Sequence, residues 1–191
     1  ISLHAHNEAR RRSEALAALA AGARVALVSD AGTPLVSDPG ERLVAAAIAA
    51  GHAVEAVPGP SALLAALVVS GLPTDRWAFE GFLPKKGGAR RRRLEALRYE
   101  DRTLVFFESP LRTREMLVDL ASVLGDRPVA LCRELTKLHE QVLRGSASTV
   151  VASLGTHDPK GEVVVVVGGA PAGGIEDLDA AVDEARVLVA E

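Results

Sequence analysis

The 191-residue chain has one cysteine, one methionine, one tryptophan and one tyrosine, and aromatic residues make up only 3% of it. With Cys132 alone, neither an internal disulfide nor a multi-cysteine metal site can form, which fits a reducing, cytoplasmic compartment. So few rings exclude recurrent base stacking as a general means of holding nucleic acid. No apolar run approaches a membrane span: "LVAAAIAA" and "ALLAALVV" are about half the ~20 residues required. No signal-peptide pattern opens the chain either. The net charge is −3, so an anionic partner must be met by a local patch and not by the surface as a whole. Nucleophile-elbow, Walker and GxGxxG patterns are all missing, which argues against the common hydrolase, NTPase and dehydrogenase readings.

What is present is apolar enough, at 48% hydrophobic residues, for one large core or two small ones. Asn7 is placed to cap a helix from Glu8 to about Ala21. "RVALVS" (24–29) has the short β-branched character of a buried parallel strand. A helix follows from near Pro39 to about Ala50, then a strand over "HAVEAVP" (52–58) and a helix ended by Gly71. This alternation is that of a βαβ sheet. After "LPTD" (72–75) the rhythm changes. Strands are predicted at 77–82, 102–109, 127–135, 139–147 and 161–170, with helices reaching about Tyr99, over 110–125, and briefly to Leu154. An amphipathic helix closes the chain at 175–191. The expectation is an α/β chain with a mainly parallel sheet in residues 1–73, a mixed sheet in 74–170, and a helix or tail over 171–191. The chain begins at Ile1 and stops at Glu191 within helical patterns, as an excerpt of a longer protein would.

Open α/β sheets bind ligands at the carboxyl ends of their strands. Three loops qualify: Ser29 to Gly40, Pro58 to Ser61, and Glu108 to Arg112. Glycine lets backbone approach a ligand, and helix-start N–H groups attract anions. Asp30, Asp38 or Ser61 taken singly is an ordinary helix cap, but three glycine- or proline-bearing loops at strand ends are harder to reduce to capping. Seven positive charges fall between Lys85 and Arg98. A solvated helix face explains them, and so does a seat for phosphates; Gly87-Gly88 tips the reading toward an anionic partner. His4 and His6 lack a third ligand nearby, and zinc requires three or four, so no metal site is expected. "RELTKLHE" packs Arg133, Glu134, Lys137, His139 and Glu140 between two strands, either as a surface hairpin or as the polar wall of a cleft.

The ordered set "SDAGTPLVSDPG", "VPGPSALLAAL", "SGLPTDRWAFEGFLPKK", "FFESPLR" and "RELTKLHE", with "HAHNE" before it and "KGEVVVVV" after it, carries a resemblance. It resembles the tetrapyrrole-methylase (class III) methyltransferases, and among them the bacterial enzymes that methylate a cytidine 2′-hydroxyl in small-subunit ribosomal RNA. The resemblance implies two α/β domains, S-adenosylmethionine bound in the cleft between them, a homodimer and an RNA substrate. It implies cofactor contacts from Asp30, Ala31, Gly32 and Thr33, and from Pro60, Ser61 and Ala62. Lys85, Lys86, Arg90, Arg91, Arg92, Arg93 and Arg112 become the RNA-facing residues. A ribose hydroxyl is a poor nucleophile, so a positioned base helps; Glu108, Glu134 and Glu140 are candidates, with Lys137 if burial lowers its pKa. The family's first strand, its glycine-rich loop and its C-terminal helical extension have no counterpart in this stretch. The alternatives are a small-substrate (tetrapyrrole) methyltransferase of the same fold and an inactive RNA- or partner-binding fragment.

Overall fold

The computed structural model describes residues 2–4, 7–155 and 159–171. The helix expected over 175–191, and His6 of the histidine pair, lie outside the described residues. By internal contacts the chain forms two compact units, residues 1–61 and 62–191.

The first unit holds helices α1 (Glu8–Ala20) and α2 (Glu41–Ala49). Asn7 does precede α1, but its side chain turns back, accepting from the His4 N–H at 2.9 Å and donating to Ser2 O. Helix α2 starts just beyond Pro39, after Gly40 at φ +124°. A Cβ there would lie 2.7 Å from Leu27 and 2.9 Å from Leu35, so only glycine fits. The two strands expected here do not form: among the described residues of this unit there is no ladder at 24–29 or 52–58. The reason is that an extended run becomes a strand only when a neighbour takes its N–H and C=O groups, and no such neighbour lies among the described residues of this unit. Val28 (82% exposed) and Val57 (92%) accordingly face outward.

The second unit carries a mixed five-stranded sheet, as expected. Its strands are β1 (Trp77–Phe82), β2 (Thr103–Glu108), β3 (Pro128–Arg133), β4 (Gln141–Ser146) and β5 (Val163–Val167), in the order β1-β2-β5-β3-β4. Only β1 and β2 run parallel; every other pairing is antiparallel. The period-two alternation of β2 sends Leu104 and Phe106 to one face and Val105 and Phe107 to the other. Central β5 is buried on both faces, which explains its unbroken valine run.

Helices α4 (Gly87–Glu95), α5 (Thr113–Leu124) and α6 (Ala147–Ser153) cover the first face. There Leu94, Met116, Leu117, Leu120 and Val150 pack on Phe106, Leu131 and Val165. Helix α3 (Ala62–Ser70) closes the second face, with Leu63, Ala66 and Leu67 against Val105, Ala130, Cys132 and Val166. Burial pushes the Cys132 thiol up to about 11. At the far end of the sheet, buried Arg127 donates to the carbonyls of Leu124, Glu100, Gly168 and Arg98. One guanidinium thus joins the ends of three elements and the turn after α4.

Candidate functional site

The register decides which loops meet. Phe82 pairs with Phe107, Glu108 and Arg133 both pair with Val163, and Arg133 also pairs with Gln141. The ends of β1, β2 and β3 and the starts of β4 and β5 therefore share one edge. Four connections gather there: Leu83 to Lys86, Ser109 to Arg112, Glu134 to Glu140, and Pro159 to Glu162. The motifs "FLPKK", "FFESPLR", "RELTKLHE" and "KGE" are far apart in sequence, and the topology brings them to one end of one sheet.

Glu108 ends β2 with its side chain fully enclosed. Its Oε1 accepts the Ser109 N–H at 2.6 Å and pairs with the Arg112 guanidinium. Its Oε2 is buried and has no hydrogen-bond partner among the described residues, and the same holds for Arg112 Nη1. Burial raises the Glu108 pKa, against the opposing pull of the Ser109 N–H, Arg112 and Arg90. The pair fastens a 3₁₀ turn (Pro110–Arg112) whose Leu111 points outward, 77% exposed.

The Glu134-to-Glu140 loop is fastened twice. Glu134 sits at φ +50° and Thr136 at φ +66°, conformations that side-chain-bearing residues adopt rarely. The Glu134 N–H donates to Glu162 O at 3.0 Å, and its Oε1 accepts the Glu162 N–H at 2.8 Å and Lys137 Nζ at 3.0 Å. Glu140 accepts the Thr136 N–H at 2.6 Å. The Glu162 N–H, then Lys137, hold the Glu134 carboxyl below its usual range. Lys137 does not meet the condition set for a lysine base. It is not buried, and Glu134 and Glu162 raise its pKa instead of lowering it. Sequence reasoning missed Gly161: a Cβ there would come within 2.3 Å of the Glu134 carboxyl, at φ +89°. The available signal was a glycine two residues before a five-valine strand.

The four consecutive arginines of α4 take different roles. Arg90 is fully enclosed, its Nε donating to Asp119 at 2.6 Å and its Nη2 lying 2.6 Å from Glu115. Burial pulls the Arg90 pKa down, but Glu115 and Asp119 outweigh it and leave it raised. Asp119, itself buried, also accepts Arg91 Nε at 2.8 Å. Arg93 pairs with Glu80. Lys85, Lys86 and Arg92 are exposed. Asp119 was readable in principle, because it falls on the buried face of α5 with Met116 and Leu120, and a carboxylate there requires a cation.

In the first unit, Asp30, Ala31, Gly32 and Thr33 lie exposed in one loop. Ser29 Oγ donates to the carbonyls of Ala31 and Gly32. Thr33 Oγ1 donates to Pro60 O at 3.1 Å, so two loops 27 residues apart are joined. Gly32 has φ +74° and open space where a Cβ would stand. Ser61 ends this unit and Ala62 opens α3 in the second. Among the described residues no group of three or more His, Cys, Asp or Glu is placed to hold a metal ion.

Residues 1–151 match the family model of the Tetrapyrrole (Corrin/Porphyrin) Methylases, and the chain belongs to that family. Its curated relatives include proteins named "Ribosomal RNA small subunit methyltransferase I". That of Xylella fastidiosa Temecula1 is 50% identical over all of this chain and 69% of its own length. That of Synechocystis is 47% identical over all of this chain and 70% of its own. That of Mycobacterium tuberculosis H37Rv is 52% identical over 75% of this chain and 50% of its own. The chain spans 63%, 50% and 59% of the length of three further such relatives. Among solved structures, the methyltransferase CobJ shares the fold at TM-score 0.62 and 24% identity, covering 84% of this chain and 70% of its own. The cobalt precorrin-4 methyltransferase CbiF does so at 0.56 and 17%, covering 83% and 69%.

Proposed function

We propose that this chain is the greater part of a cytoplasmic methyltransferase that transfers a methyl group from S-adenosylmethionine to a cytidine 2′-hydroxyl of small-subunit ribosomal RNA, working as a homodimer. The observation that carries the reading is near-50% identity, along the whole chain, to relatives bearing the rRNA methyltransferase name.

The residues present fit the cofactor. The Asp30-to-Thr33 loop offers exposed backbone groups, open space at Gly32, and a tie from Thr33 to Pro60 that holds two cofactor loops together. With Ser61 and Ala62 they would hold it chiefly through main-chain atoms. When bound, S-adenosylmethionine supplies a methyl group already activated for displacement, so the protein's main task is alignment. The proton of the ribose hydroxyl needs an acceptor. Glu134 and Glu140 spend carboxylate oxygens on backbone N–H groups, and Lys137 is held protonated between carboxylates. Glu108 gives one oxygen to the Ser109 N–H and Arg112, and its other, buried oxygen has no hydrogen-bond partner among the described residues, which makes it the base in this reading. Lys85, Lys86, Arg91, Arg92, Arg93 and Arg112 supply charge for RNA, and Arg90 holds their helix in place from inside.

The test uses the full-length protein with labelled cofactor and small ribosomal subunits. Methyl transfer to the 2′-hydroxyl of a cytidine, lowered ~100-fold or more in Glu108→Gln at unchanged RNA affinity, is the expected result. Transfer to a tetrapyrrole and not to RNA, or RNA binding without transfer, would overturn the proposal. Equal rates in Glu108→Gln would remove the base assignment alone.

A further inference from the structure

The reading above leaves unexplained three large apolar side chains that face solvent at the site end of the sheet. Phe82 (53% exposed) ends β1, Leu111 projects from the 3₁₀ turn after β2, and Leu138 (92% exposed) from the loop after β3. A single exposed leucine is ordinary. These differ in how they are mounted. The Leu111 turn is fastened by Glu108 to the Ser109 N–H and to Arg112. The Leu138 loop is fastened by Glu134 to Glu162 and by Glu140 to Thr136, and holds two residues at positive φ. Both tips are thus held in shape before any partner arrives, and strain of this kind is concentrated at functional sites.

Each tip also has a cation close by in the chain. Lys85 follows Phe82 by three residues, Arg112 follows Leu111, and Lys137 precedes Leu138. Strands lie about 4.8 Å apart, so the row from β1 to the β3–β4 loop spans on the order of 15 Å. Alternating apolar tips and cations match a strand whose bases and phosphates are both accessible. A-form duplex hides its base faces and offers chiefly phosphates and 2′-hydroxyls, and leaves the leucines nothing to touch. Protein interfaces are depleted in lysine, which this edge retains.

We infer that this end of the sheet takes its RNA unpaired: Phe82, Leu111 and Leu138 contact exposed bases while Lys85 and Lys86 follow the backbone. The inference rests on the proposed RNA substrate and specifies its conformation.

The experiment compares the full-length protein's affinity, by fluorescence anisotropy, for a short unstructured RNA and for a hairpin duplex of equal length. The wild type should prefer the unstructured RNA. Leu111→Ala with Leu138→Ala should lose ~10-fold or more of that affinity and leave duplex affinity unchanged, since each leucine would bury apolar surface against a base. Lys85→Ala with Lys86→Ala should weaken both and flatten their salt dependence. Equal affinity of the wild type for both forms, or no loss in the leucine variant, would overturn the inference and leave the RNA substrate standing. Binding of neither form would remove both. A leucine variant that changes subunit association in sedimentation, and not RNA affinity, would make the edge a protein interface and overturn the inference.

Discussion

The two units contain similar local sequence and reach different ends. Both have β-branched runs followed by loops and helices. In the second unit five such runs find one another and bury a core on both faces of the sheet. In the first, "RVALVS" and "HAVEAVP" stay unladdered, and Leu43 and Ala47 are the only buried apolar residues described. The difference teaches that a helix is settled by its own residues, since its hydrogen bonds are local. A strand is settled by whatever lies beside it.

Hydrogen exchange tests the contrast most directly. Amides of β2, β3 and β5 should exchange at least ~1000-fold more slowly than those of residues 24–29 and 52–58, given a core opening only with global unfolding. Comparable protection in the first unit would break the comparison. Mutation should sharpen it. Phe106→Ala, at a fully enclosed site in the sheet's core, should cost ~3–5 kcal/mol by chemical denaturation. Leu43→Ala should leave that main transition in place.

Asp119→Ala leaves the enclosed Arg90 to the exposed Glu115 and should cost up to the ~3–5 kcal/mol of a broken buried pair. Replacing both partners by apolar residues should recover a good part of that. Gly161→Ala should cost ~1–3 kcal/mol through its positive φ and its collision with Glu134. The loss should shrink when Glu134→Ala is added, because the two share one contact.

The smallest effects are those of pH. Arg102 pulls the Glu100 carboxyl down to about 2 from 4.5. Its stabilisation is present above the unfolded pKa and is lost as pH falls through that interval; Glu100→Gln should flatten the acid limb of a stability–pH curve. Glu108 has the opposite sign. Its raised pKa gives a contribution present at low pH that disappears as pH rises through the folded value. Glu108→Gln should remove that part of the slope.

Much of the second unit was legible in the sequence. Period-two alternation, the change of rhythm after "LPTD" and the closely spaced strands around "TKLHE" give five strands and a mixed sheet. Of the three loops expected at strand ends, the one from Glu108 to Arg112 does follow a strand, whereas those at 29–40 and 58–61 follow runs that form none. What escaped was pairwise and non-local: that Arg90 faces inward because Asp119 waits there, that Gly161 makes room for Glu134, and that Lys137 is held between two carboxylates. The family resemblance supplied the rest, and the match over residues 1–151 bears out the family.

The Arg127 clamp at the far end of the sheet has a consequence for how the second unit meets acid. Its partners are four main-chain carbonyls and its guanidinium keeps its proton, so nothing in that fastening titrates. At the site end the Glu134 carboxyl, held below its usual range by the Glu162 N–H and Lys137, does titrate. On acidification the Glu134–Glu162 fastening should therefore loosen before the Arg127 clamp does.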